Sequence, residues 1–192
     1  MNNTLERHVN TNYAGKWDKW STIFSGHTAQ ESIRLDENGD GFMDAPLITR
    51  YMGYNKWSFE DDDEEVSFEA AVQYVNEKRI GGQKGFSKDD MGSNSIYGQT
   101  VDLNSFKVYS KFGKTLENND QVKGFFSYDV YDDLSYYGIT RYNAKQKSLY
   151  ANVFYETDLF TDNMLKGGLS YRHELIDEDI NFTHATSKSY AG

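Results

Sequence analysis

Period-two alternation constrains this chain more than any other feature. Leu149, Ala151, Val153 and Tyr155 fall on one side of a segment, and Tyr150, Asn152, Phe154 and Glu156 on the other. Successive strand side chains point to opposite faces, so this is a β-strand with one apolar and one mixed face. A turn-like hexapeptide at 158–163 follows, and the chain returns with Leu165, Gly167, Leu169 and Tyr171 opposite Lys166, Gly168, Ser170 and Arg172. A soluble sandwich turns such a polar face to water. A membrane barrel inverts the order, with apolar side chains out to lipid and polar ones in to the lumen. Period alone does not choose between the two, whereas strand length and aromatic placement bear on the choice.

The same pattern recurs along the chain. Leu5, Val9 and Tyr13 alternate weakly, and Trp20, Thr22, Phe24 and Gly26 share a face. Leu47, Thr49, Tyr51, Gly53, Asn55, Trp57 and Phe59 share the face of a long strand, followed by Val66, Phe68, Ala70, Val72 and Tyr74. Phe106, Val108, Ser110 and Phe112 make another, and 122–131 its return. Short turns are expected at 14–18, 60–65, 117–120 and 158–163, and longer polar connections at 30–46, 81–104 and 132–145. After Asp177 the chain reads as polar and irregular. Alternating short and long connections along an antiparallel meander are the pattern of outer-membrane barrels. Several strands exceed ten residues, enough for a tilted crossing of about 9–11. The expected fold is all-β: an antiparallel meander of about eight strands, a single domain over 1–192, forming part of a transmembrane β-barrel.

Composition narrows the classes. The chain has 15 Tyr, 12 Phe and a mean hydropathy of −0.78, with no apolar run long enough for a membrane helix. Barrel strands are only half apolar, so a hydrophilic average does not argue against them. Tyr13, Trp17, Trp20, Trp57, Phe59, Phe112, Tyr155 and Phe160 lie close to the short turns. That suits an interfacial aromatic belt better than ordinary cross-strand pairing. The absence of cysteine removes disulfides and thiolate zinc sites, and the net charge of −10 argues against a nucleic-acid partner. Residues 1–5 have neither the basic start nor the apolar core of a signal peptide, which leaves a cytoplasmic protein or an internal piece of a longer exported chain, and the strand pattern favours the second as the expectation.

One local motif carries chemistry. Asp36, Asn38, Asp40 and Asp44 offer oxygens at relative positions 1, 3, 5 and 9, Gly41 stands at 6, and Phe42 supplies a carbonyl at 7. This matches most of a calcium-binding EF-hand loop, but position 12 is Leu47 where that loop has a bidentate Glu. A calcium site and an ion-free Asn-Gly/Asp-Gly turn both fit this spacing. His8, His27, His173 and His184 are dispersed without ligand spacing, and the acidic run at 60–65 occupies a turn. The glycines of 81–85 lack phosphate-loop spacing. No arrangement of nucleophile, base or paired carboxylates appears, so no enzyme and no required cofactor is expected.

Residues 36–47, with Asn55-Lys56-Trp57 and Glu77-Lys78-Arg79-Ile80-Gly81-Gly82-Gln83, resemble the barrel of bacterial TonB-dependent outer-membrane receptors. Ser135-Tyr136-Tyr137-Gly138 and residues 142–152 resemble another stretch of the same barrel. The resemblance runs over roughly 17–179. It implies a plugged barrel of the 22-stranded type that imports a scarce nutrient such as an iron chelate, a cobalamin or an oligosaccharide. The partners implied are outer-membrane lipid, the small nutrient and, through a plug, the TonB complex. The family's TonB box, plug and terminal aromatic strand have no counterpart here, so the chain resembles a middle section of the barrel. The alternative class is a soluble, calcium-stabilised β-domain acting as a binding or adhesion module.

Overall fold

The computed structural model describes residues 7–160 and 163–183. Eight strands make up most of them: β1 Arg7–Trp17, β2 Trp20–Gln30, β3 Leu47–Asp61, β4 Val66–Gly82, β5 Gly98–Thr115, β6 Gln121–Tyr137, β7 Thr140–Phe160 and β8 Asn163–Phe182. They form one antiparallel sheet in sequence order. β1 and β8 are not paired, so the sheet is open, and each outermost strand has a neighbour on one side only. The chain is therefore all-β, as the alternation implies.

Three sequence expectations need correction. The connection expected at 132–145 does not exist: β6 runs to Tyr137, Gly138 and Ile139 turn the chain, and β7 starts at Thr140. Gly138 takes φ 60 at the first central position, the geometry that a two-residue hairpin of type II′ requires. The flanking polar residues extend the strands by pairing across the ladder, as in Asp132–Lys145 at 3.4 Å and Arg141–Asp179 at 3.5 Å. The connection expected at 81–104 shrinks to 83–97 for the same reason, with Lys78–Asp102 at 3.1 Å among its flanking pairs. The third correction lies after Asp177, where β8 continues to Phe182. The regular alternation of short and long connections thus gives way to two long ones, at 31–46 and 83–97.

Register carries the period-two pattern across the whole sheet. Trp17, Trp20, Phe59, Phe68, Phe112, Gly124, Val153 and Leu169 are consecutive partners in one row. The next row runs Gly15, Thr22, Trp57, Ala70, Ser110, Phe126, Ala151 and Tyr171, on the same face. In β4 this face reads Val66, Phe68, Ala70, Val72, Tyr74, and in β6 Val122, Gly124, Phe126, Tyr128, Val130, each uncharged over nine residues. The opposite face carries the strand glutamates, most serines and Lys56, Lys107, Lys111, Lys123 and Lys166, while Lys78, Lys114, Lys145 and Lys147 have the parity of the first face and lie beyond its uncharged stretches. The sequence-based assignment of Leu149, Ala151, Val153, Tyr155, Leu165, Leu169 and Tyr171 to one face agrees with this register.

The sheet bends around its polar face. Small residues there are covered by their neighbours: Ala71, Ser127, Ser135 and Ala144 are all buried. On the apolar face many large side chains are exposed, among them Phe68 at 37% and Leu169 at 78%. Among the described residues nothing covers that face. At the end that also holds the 138–139 turn, the two long connections form a cap. Met43 N donates to Gly82 O and Lys84 N to Gly41 O, both at 2.8 Å, and Arg34 Nη1 reaches the carbonyls of Lys84 and Phe86 at 2.6 and 2.5 Å. Phe86, 1% exposed, lies against the backbone of Gly98.

Candidate functional site

The concave face presents charge at the depth where the convex face is apolar. Glu69 stands between Phe68 and Ala70 in β4, and its carboxylate takes Lys56 at 3.0 Å and Lys111 at 3.2 Å from the strands on either side. Glu156 likewise takes Lys123 at 2.7 Å and Lys166 at 2.8 Å. Lys107 pairs with Asp129 at 2.9 Å, and Arg172 with Glu174 at 3.1 Å. Nearer the long connections, Glu77 is buried between Arg50 and Arg79. A carboxylate flanked by two cations retains its charge in a partly dry setting, because each oxygen has its own donor. These ionic links between strands hold a polar wall with no apolar core beneath it.

A diagonal of aromatic rings crosses the same face. Tyr54 and Tyr109 share a hydrogen bond between hydroxyls at 3.2 Å. Tyr109 stacks on Phe125 with centroids 6.2 Å apart, and Phe125 lies 5.8 Å from Tyr150. Beside Tyr150 an open cleft of about 500 Å³ is lined by Tyr131, Gln146, Ser148, Asp129, Arg172 and Glu174, among others. Ring faces beside charged and amide groups can hold a polar molecule by stacking and hydrogen bonding together. A larger cleft of about 660 Å³ lies between the turns at 63–65 and 114–119, away from these rings.

The sequence assigned Tyr150, Asn152, Glu156, Lys166, Ser170 and Arg172 to the polar face. The structure joins them there: Asn152 donates to Ser170 at 2.7 Å, and Lys166 meets Glu156. Sequence reading missed the ionic groups at Glu69 and Glu77 and the Tyr54–Tyr150 diagonal. Their parity along each strand carried the signal, but pairing them needed the register. His8 and His27, read as dispersed, stack at 5.7 Å between ring centroids, because β1 and β2 pair. His184 lies outside the described residues. The belt aromatics Trp17, Trp20, Phe59 and Phe112 share one row, with Trp57 in the next. The side chain of Phe160 and turn residues 161 and 162 lie outside the described residues.

The calcium-like motif folds as a chain of turns in the 31–46 connection. Asp44 accepts from Glu37 N at 2.7 Å, Asp40 from Phe42 N at 2.8 Å, and Asn38 from Asp40 N at 3.1 Å. Gly39 and Gly41 take φ 69 and 87, which side chains other than glycine rarely adopt. Phe42 bridges to Gln83. Asp36 is the exception: its side chain is 7% exposed, its Oδ1 is buried without a hydrogen-bond partner, and Lys84 Nζ stands 3.8 Å from Oδ2. Among the described residues no three His, Cys, Asp or Glu side chains converge as a metal cluster. Comparison with protein-family models, with curated proteins and with solved structures gives no match for this chain.

Proposed function

We propose that this chain forms part of the wall of a transmembrane β-barrel in the bacterial outer membrane. On this reading it is the barrel section of a TonB-dependent receptor that takes up a scarce nutrient: an iron chelate, a cobalamin or an oligosaccharide. The observation that supports the reading is the inverted sheet. At one depth the convex side of β4 carries Phe68 and Ala70, while the concave side carries Glu69 between Lys56 and Lys111. A soluble sheet with this pattern would bury the convex face, and the sheet bends away from it. In β4 and β6 five uncharged residues each hold that face over a nine-residue span, close to the length a tilted strand needs to cross, about 9–11. The row from Trp17 to Phe112 suits the belt at one membrane surface. The open edges of β1 and β8 are where neighbouring strands of a larger barrel would pair. Nutrient import, the plug and the TonB complex rest on the resemblance alone, and the concave rings and ion pairs are the groups placed to meet plug or ligand.

Refolding tests the membrane reading. The 192-residue chain is refolded with and without detergent micelles, and β content is followed by far-ultraviolet circular dichroism. Folding that depends on micelles is expected. Clean folding to a monomer in buffer would overturn the barrel wall in favour of a soluble β-domain.

A further inference from the structure

We propose that the concave cleft beside Tyr150 is a subsite for a neutral oligosaccharide, stacked on the rings of Tyr131 and Tyr150 and hydrogen-bonded by the polar row between them. The inference rests on the barrel-wall reading, which turns the concave face to the lumen, and it selects one of the three nutrient classes. The two rings stand at opposite ends of the cleft. Tyr150 is opposite Arg172 in register, Ser148 lies between Asp129 and Glu174, and Tyr131 is opposite Gln146. The four residues from Gln146 to Tyr150 cover roughly 13 Å of strand, longer than a single sugar ring. The volume of about 500 Å³ falls within the range of about 300–1,000 Å³ usual for small-molecule sites. Phe125, 5.8 Å away between centroids, packs against the Tyr150 ring and steadies it.

The polar groups are held in place and not used up. Glu174 gathers them: one oxygen accepts from Gln146 Nε2 and from Ser148 Oγ at 3.3 Å, and the other from Arg172 Nη2 at 3.1 Å. Arg172, 69% exposed, commits only part of its five-donor guanidinium to that contact. Asp129 takes Lys107 on Oδ1 at 2.9 Å, which leaves Oδ2. Gln146 donates through its amide nitrogen, which leaves its carbonyl oxygen. Among the described residues the hydroxyls of Tyr131 and Tyr150 make no hydrogen bond. The spare groups are thus N–H donors, carboxylate and amide oxygens, and phenol hydroxyls. A sugar hydroxyl both donates and accepts, so it can meet each of them. The C–H face of a sugar ring is apolar and lies flat against an aromatic ring. The charges around the cleft cancel, since Arg172 pairs with Glu174 and Lys107 with Asp129, so an anionic iron chelate finds no surplus cation there.

The test is saturation-transfer NMR on the full 192-residue chain, refolded in a detergent without a sugar headgroup. Maltotriose, cellotriose and xylotriose are the probes, with cyanocobalamin for comparison. Transfer from the protein to ring C–H protons of at least one trisaccharide is expected. Tyr150→Ala, which removes the platform, and Arg172→Met, which removes donors, should each weaken binding by about tenfold. Tyr171→Ala removes a ring from the neighbouring position of β8 on the convex face and should change nothing. Circular dichroism checks the β content of every variant. Arg172 lies on an outermost, exposed strand, so its variant decides the matter if Tyr150→Ala loses β content. A folded chain that transfers to none of the three sugars would overturn the proposal. So would transfer to cyanocobalamin alone, or sugar binding that survives Arg172→Met but is lost in Tyr171→Ala. The measurement runs in buffer if the chain folds there, so its failure is distinct from failure of the membrane reading.

Discussion

The Tyr54 and Tyr109 hydroxyls meet at 3.2 Å although β4 lies between their strands. Strands two apart are separated by about 9.6 Å in a flat sheet, so both rings lean inward over β4. Ala71 is the residue opposite Tyr109 in register, and it is 2% exposed. A methyl side chain leaves room for the contact, and the curvature of the wall depends on that room.

Ala71→Phe is therefore expected to lower stability by about 1–3 kcal/mol through overpacking. The control is Ala70→Phe, one residue away on the open convex face, with a smaller effect. Urea unfolding in micelles measures both. Equal losses would mean that the concave face is not the crowded one.

Much of this was legible in the sequence because strand parity is a local property. Val66, Phe68, Ala70, Val72 and Tyr74 announce one face without any knowledge of partners, and the Leu149–Arg172 hairpin pairs as its alternation implies. Residues 132–145 misled for a physical reason. Asp132, Asp133, Arg141 and Lys145 read as loop by polarity, yet they extend β6 and β7 because cross-strand charges satisfy one another. The ionic groups at Glu69 and Glu77 needed register, which depends on where each turn closes. The motif at 36–44 was legible as ligands in order, but the buried lone oxygen of Asp36 depends on packing against residues 82–84.

Convex and concave faces should respond oppositely to a charge. Val153→Arg places a guanidinium on the apolar side between Gly124 and Leu169. It should cost about 2–4 kcal/mol in a lipid-vesicle folding titration, near what a cation costs at the bilayer midplane. Leu165→Arg, closer to the short turns, should cost about 0–1 kcal/mol. Asn152→Arg, on the polar side beside Ser170, should cost less than Val153→Arg. Equal costs for 152 and 153 would refute the assignment of faces.

Gly98 makes room for Phe86. A Cβ built on Gly98 would fall 2.1 Å from the Phe86 Cγ, well inside any real contact. Gly98→Ala must expel a ring that is 1% exposed, at a cost comparable to losing the ring, about 3–5 kcal/mol. Phe86→Ala should cost a similar amount. In the double variant the alanine at 98 should add little, since the clash has gone. Hydrogen exchange across 83–97 reports the local loosening. Additive losses would show that Gly98 matters for a reason other than Phe86.

Asp120 in the β5–β6 turn makes stability depend on pH. Hydroxyls of Thr157 and Tyr155 and the Asn118 amide hold its carboxyl below the ordinary value of 3.8. The folded state thus favours the ionised form more than the unfolded chain does. A depressed folded-state pKa gives a contribution that is complete above the unfolded pKa and lost as pH falls through the folded one. Asp120→Asn should therefore lower stability near neutral pH, and the gap to the natural chain should close as the solution is acidified below the ordinary carboxylate range. Tyr155→Phe should shrink the same gap, because it removes one of the donors that favour the carboxylate. Urea midpoints across an acid series measure the difference. A gap that stayed constant into strong acid would mean that Asp120 contributes through the shape and hydrogen-bonding pattern of its side chain and not through its charge.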